Sequence, residues 1–286
     1  MTYFLNFRMR DVGGPVVGPH LLAGDGTAVP PALSVIPPAQ IPSLVAGKAL
    51  LFAAHGFNVS YHDGAYALGM LDRYLDLTAS NLFIGVLWPG DAWLPIVDYP
   101  FEGGVARECG GRLATFCNEW CAGAQSLSFL SHSLGARLVL EAIAQLARHA
   151  QSVCLTAAAI NRDCLTTEYV DAAGKAEWIS LLASHEDDVL KIAFSIGDPF
   201  ADLLHDDHTP FQAALGSNGP PPPAAQRVRY PWQIPNNDNY GHHDYLPPGQ
   251  AAALPPPPGA KWARAADFMK RAFFGLPQTW PPSYTG

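Results

Sequence analysis

Apolar residues recur along this chain in two rhythms. The runs KALLFAAHG (Lys48–Gly56) and NLFIGVLWPG (Asn81–Gly90) are short, continuous and closed by turn residues, the pattern of strands buried on both faces of a sheet. Between them, DGAYALGMLDRYLDLTAS spaces Leu68, Leu71 and Leu75 at helical intervals, with Asp63 as the candidate N-cap. The opening MTYFLNFRMRD reads as a first strand. Further along, Arg107 to Cys121 is expected as a helix, SLSFLSH as a strand, Gly135 to His149 as a helix and SVCLTAAAI as a strand; EWISLLASH follows as a strand that leads into a helix from Asp187. KWARAADFMKRAFFG sets Trp262, Ala266, Met269 and Phe273 on one face, a last helix for docking on the sheet, with Gly275 as its cap.

Repeated βα units of this kind imply an α/β fold, a mostly parallel central sheet with helices on both faces and right-handed crossovers. In such sheets chemistry gathers at the carboxyl ends of the strands. The 286 residues suffice for one large domain, 1–286. Segments 91–104 and 197–240 are rich in turn residues and are candidates for a rim or lid. The proline runs at Gly219–Pro223 and Pro255–Gly259 read as stiff surface connections.

Composition narrows the partners. With 49% hydrophobic and 15% charged residues the chain should be packed, and a net charge of -8 without a Lys/Arg cluster argues against nucleic acid or an anionic membrane surface. A small molecule is the expected partner. No stretch approaches the roughly 18 apolar residues of a membrane-spanning helix, and the start does not read as a signal peptide. The five cysteines are odd in number and fit no zinc-ligand spacing. Reduced, packed thiols in a cytoplasmic protein are expected.

Candidate chemistry starts at SFLSHSLGARL. A serine hydroxyl is a poor nucleophile unless a base takes its proton and a tight strand-to-helix turn exposes its oxygen. Ser133 stands at such a turn, with small residues two before (Ser131) and two after (Gly135). Leu134 would supply one oxyanion-binding N–H. On its own the motif also fits a serine that merely caps a helix. Three further stretches add weight. HGFN at His55–Asn58 ends a strand where a second oxyanion donor belongs, with the Phe57 N–H as candidate and His55 as a structural residue. HEDD closes another strand, where Asp187 or Asp188 could orient a histidine. GHHDY offers His242 or His243 as general base. The chain order Ser, Asp, His matches that of one large hydrolase class.

Taken together, HGFNVS, LWPG, SHSLGARL, DDVL, ALGSNGP and GHHDY resemble the α/β-hydrolase superfamily, in particular a branch with H-G-[FY]-N-x-S and S-[HM]-S-[ML]-G motifs. The resemblance runs from about Lys48 to Tyr245; Ser131 departs from it, standing where the superfamily usually has glycine. It implies the α/β-hydrolase fold and selects Asp187 and His242 for the acid and base. The function it implies is a serine esterase of carboxylesterase type, working through an acyl-enzyme intermediate on a small-molecule ester. No cofactor or metal is expected, and the oligomeric state is left open. Trp88 and Trp93 are candidates to contact substrate. Two rivals stand beside this reading: a catalytically silent scaffold used for binding, and a metal-assisted hydrolase using the cluster from Asp198 to His208. For that cluster a solvated acidic loop is the favoured interpretation.

Overall fold

The computed structural model describes residues 1–90, 95–195, 213–249 and 252–281, and the side chains of these except 95–103 and 193–195. Eight strands form one sheet in the order β3-β2-β1-β5-β4-β6-β7-β8. Strands β1 (Thr2–Asn6), β4 (Ala49–Ala54), β5 (Asn81–Leu87), β6 (Ser126–His132), β7 (Ala150–Thr156) and β8 (Ala176–Leu182) run parallel. Strands β2 (His20–Asp25) and β3 (Ala32–Val35) close one edge through antiparallel pairings. This is the mostly parallel sheet expected, with the α/β-hydrolase arrangement of helices on both faces.

The continuous apolar runs are explained by burial on both sides. In β4, Leu50, Phe52 and Ala54 enter one core cluster while Leu51 and Ala53 enter the other, the period-two alternation of a pleated strand. The first cluster holds residues of α1 (Ile41–Val45), α3 (Pro95–Trp120) and α4 (Gly135–Ala144); the second holds those of α2 (Tyr61–Leu75) and of the C-terminal helix. Phe52 stacks on Phe129 at 5.5 Å and meets Phe116 edge-on at 6.5 Å. The helices α5 (Val170–Lys175) and α6 (Asp188–Ser195), the single turns α7 (Leu215–Asn218) and α8 (Pro222–Ala225), and α9 (Lys261–Phe273) complete the described helices that bear on the site.

Several boundaries differ from expectation for identifiable reasons. The N-cap of α2 is Ser60, not Asp63: the Ser60 hydroxyl accepts the Asp63 N–H at 3.1 Å and donates to the Asp63 carboxylate at 2.8 Å. Asp63 is therefore the third helical residue, whose N–H the Ser60 hydroxyl caps. Helix α3 begins at Pro95 rather than Arg107, so much of segment 91–104 is helical. Proline suits a first helical turn because no intrahelical acceptor awaits its missing N–H. Helix α4 ends at Ala144, short of His149. At the end of α9, the N–H of Leu276 reaches Arg271 O at 3.0 Å and that of Gly275 reaches Ala272 O at 3.1 Å. That closure requires the left-handed φ of 66° at Gly275.

The order of the strands decides where a site can form. From β4 the chain moves outward to β5, then crosses back to β6 and continues through β7 and β8 in the other direction. The reversal opens a crevice at the carboxyl ends of the neighbours β4 and β6. The two loops that leave those strands begin with His55 and Ser133.

Candidate active site

Ser133 follows β6 directly and adopts a φ of 54°, a left-handed conformation that costs a non-glycine residue about 1–2 kcal/mol. The neighbouring backbone holds it there. Its N–H donates to Thr156 O at 3.0 Å, and its carbonyl accepts from Ala136 at 3.1 Å and Ala159 at 3.2 Å. Crowding selects the small residues around it. A Cβ on Gly135 would lie 2.5 Å from the His55 carbonyl oxygen, and one on Gly56 would lie 2.9 Å from the Ser133 Cβ. Ser131 tolerates its position through size alone: it is 1% exposed, and its hydroxyl has no hydrogen-bond partner among the described residues.

Three side chains remote in sequence meet at this turn. His242 Nε2 lies 2.8 Å from Ser133 Oγ, and His242 Nδ1 lies 2.8 Å from Asp187 Oδ2. A carboxylate only accepts, so it fixes the imidazole proton on Nδ1 and leaves Nε2 to accept from the serine hydroxyl. The second carboxylate oxygen, Oδ1, accepts the Leu190 N–H at 3.0 Å, at the opening of α6, where the helix dipole also favours negative charge. Asp187 is fully buried, and Ser133 and His242 are 4% and 9% exposed. Asp188 and His243, the neighbours weighed for the same positions, face solvent; Asp188 pairs with Lys191 at 2.9 Å.

The acid and base loops are tied together independently. Ser184 Oγ donates to Tyr240 O at 2.7 Å and accepts the Glu186 N–H at 3.1 Å. A second tie comes from His132, the residue inside the S-x-S motif, whose Nε2 donates to the His242 carbonyl at 2.7 Å while its ring packs 4.9 Å from the His242 ring. Burial, then the nearby His242, push the His132 pKa down to about 3, so the ring is neutral. Neither tie is visible in the sequence, because each joins a side chain to a backbone carbonyl more than fifty residues away.

His55 has the structural place expected of it. Its Nδ1 donates to Gly56 O at 2.8 Å and its Nε2 accepts the Trp88 N–H at 3.3 Å. Burial, helped by Arg8, lowers its pKa to about 3. Phe57 follows this turn half-buried. Leu134, fully buried, donates its backbone N–H to no carbonyl among the described residues. Trp88, a candidate substrate contact, is fully buried; its indole N–H donates to His55 O at 2.9 Å and its ring stacks on His55 at 5.7 Å, so it supports the His-Gly turn from behind. Trp93 and the cluster from Asp198 to His208 lie outside the described residues. Among the described residues no group of three or more His, Cys, Asp or Glu could hold a metal ion, and no helix is long and apolar enough to cross a membrane.

Sheet order and the strand-turn-helix around Ser133 define the class, an α/β-hydrolase fold. The chain belongs to the family described as Alpha/beta hydrolase of unknown function (DUF900), which it matches over residues 41–219. No curated protein matches the sequence. Among solved structures, the ydeN gene product from B. subtilis is similar at 14% identity and a TM-score of 0.36, over 68% of this chain and 88% of that one.

Proposed function

We propose that the protein is a serine hydrolase that cleaves carboxylic esters of small molecules through an acyl-enzyme intermediate. The observation that carries this reading is the continuous hydrogen-bond chain from Ser133 through His242 to Asp187, with both links at 2.8 Å. In the proposed mechanism Ser133 Oγ attacks the ester carbonyl while its proton passes to His242 Nε2, and Asp187 stabilises the imidazolium that forms. The N–H groups of Phe57 and Leu134 receive the oxyanion. Collapse of the tetrahedral intermediate breaks the bond to the alcohol oxygen, which takes the proton from His242. Water, deprotonated by the same ring, then attacks the acyl carbonyl, and the carboxylic acid leaves as the Ser133 hydroxyl is restored.

The cytoplasmic setting belongs to the same proposal and rests on the five free, buried cysteines. The direct test is a fluorophosphonate probe together with a panel of p-nitrophenyl esters of increasing acyl length. The expected result is covalent modification of Ser133 and turnover of the esters in the presence of a chelator, both abolished in Ser133→Ala. A protein that neither takes the probe nor cleaves any ester would be a silent scaffold. Turnover that the chelator abolishes would return the metal-assisted mechanism.

A further inference from the structure

Arg8 is a buried cation outside the span that matches the family. It is 3% exposed, and its guanidinium donates to the carbonyls of Arg10, Val59, Trp88 and Asp11. The parallel pairing of β1 with β5 explains how it arrives there: Asn6 pairs with Leu87, and the Phe7 N–H continues the ladder to Leu87 O at 2.8 Å. Arg8 therefore emerges at the carboxyl edge of the sheet, beside the loops after β4 and β5.

Two of its acceptors belong to those loops. Val59 O accepts Nη1 at 2.8 Å and Trp88 O accepts the same nitrogen at 3.2 Å, so one group joins the His-Gly turn to the segment behind it. The same turn is fastened again by the Asn58 N–H to Gly90 O at 2.6 Å, with Asn58 at a φ of 57°. Arg8 also orders its own segment. With the carbonyls of Arg10 and Asp11 gathered around the guanidinium, Asp11 O accepts the Tyr61 N–H at 2.8 Å and Asp11 Oδ1 accepts the His62 N–H at 3.0 Å. The stretch from Gly56 to Ser60 is thus gripped on both sides, and at Gly56 it lies directly against Ser133.

We propose that Arg8 is a positioning residue for the oxyanion turn: by holding Val59 O and Trp88 O together it sets the Phe57 N–H relative to Ser133. This rests on the ester-hydrolase reading above, in which that N–H binds the oxyanion. A planar guanidinium can span several carbonyls at once, which an ammonium does with one or two. A misplaced donor weakens binding of the transition state more than binding of the substrate, so the cost falls on kcat.

The test uses the full chain as Arg8→Met and Arg8→Lys. In Arg8→Met the expected kcat on a p-nitrophenyl ester is lower by about 10–100-fold with KM within about threefold, and fluorophosphonate labelling slows by a similar factor. Arg8→Lys should recover part of both. Hydrogen exchange read by mass spectrometry should quicken in the peptide over residues 55–60 and stay as in the parent in β6 and α4. Unchanged kcat and unchanged exchange would overturn the proposal, as would a change in KM alone or exchange that quickens uniformly over the whole chain. If Arg8→Met does not fold, Arg8→Lys decides by the same readouts. If the parent protein neither cleaves esters nor takes the probe, the ester reading fails by itself, and exchange at residues 55–60 then decides whether Arg8 holds the turn.

Discussion

At the residue scale the site depends on a strained serine whose partners are all buried. Ser133→Ala and His242→Ala should each lower kcat by about a million-fold, and Asp187→Asn by about ten-thousand-fold, measured by steady-state hydrolysis with folding checked by circular dichroism. His243→Ala, at an exposed ring, should change turnover by less than about twofold. Ser131 poses a separate question, because its buried hydroxyl lacks a partner. Ser131→Ala keeps the size and removes the desolvated group. Its urea midpoint should match the parent or rise, by up to about 1 kcal/mol in stability; a loss above that would reveal a hydrogen bond that the hydroxyl makes in solution. The strand-to-helix turn at Ser133 was legible in five residues, since a small residue on each side of such a serine is a local requirement. His132 was not, although it sits inside the same motif, because its partner is a carbonyl 110 residues away.

At the element scale, propensity and periodicity located the strands of the core well and the edge poorly. β4 and β5 announce themselves because both of their faces are buried, which leaves a nearly unbroken apolar run. β2 and β3 pass without a signal: β3 is exposed or half-exposed along its length, so no face demands hydrophobic residues. The cap of α2 was read one turn late because aspartate is as common in a first helical turn as at the cap itself. Ser60→Ala removes an acceptor for the Asp63 N–H and should cost about 1 kcal/mol, read from chemical denaturation. Gly135→Ala is a sharper test of the turn. The added methyl would meet backbone oxygens of His55 and Ala54, which cannot rotate away as a side chain could. Loss of about 1–3 kcal/mol in stability is expected, with turnover falling as well because the displaced strand end carries the His-Gly turn.

At the scale of the whole molecule, two neutral imidazoles buried at the site make stability depend on pH. His55 and His132 have folded-state pKa values near 3, against 6.5 when solvated. A depressed folded value means that the unfolded chain binds the extra protons, so this stability is complete above about pH 6.5 and is lost as pH falls toward 3. Each ring contributes a slope of about 1.4 kcal/mol per pH unit in that window. Asp72 and Asp267, raised by burial, act in the opposite sense at the acid end. Thermal melts from pH 8 to pH 4 should therefore show a steady fall in Tm beginning near pH 6.5. His132→Asn should flatten part of that slope, and an unchanged slope would mean that the ring is not held neutral.

The sequence by itself determined the class of fold, the strand-to-helix turn at Ser133, and the short list of acids and bases, because each follows from a local rule of burial, backbone geometry or side-chain chemistry. Tertiary structure decided what those residues do to one another. It brought His242 to Ser133 and to Asp187 across separations of 109 and 55 residues, buried Trp88 behind the His-Gly turn, and gave Arg8 the carbonyls of Arg10, Asp11, Val59 and Trp88 to hold. The reason is physical: a hydrogen bond to a distant backbone carbonyl leaves no mark on the identity of the accepting residue. Only the strand order that folds the carboxyl ends into one crevice makes such partners meet.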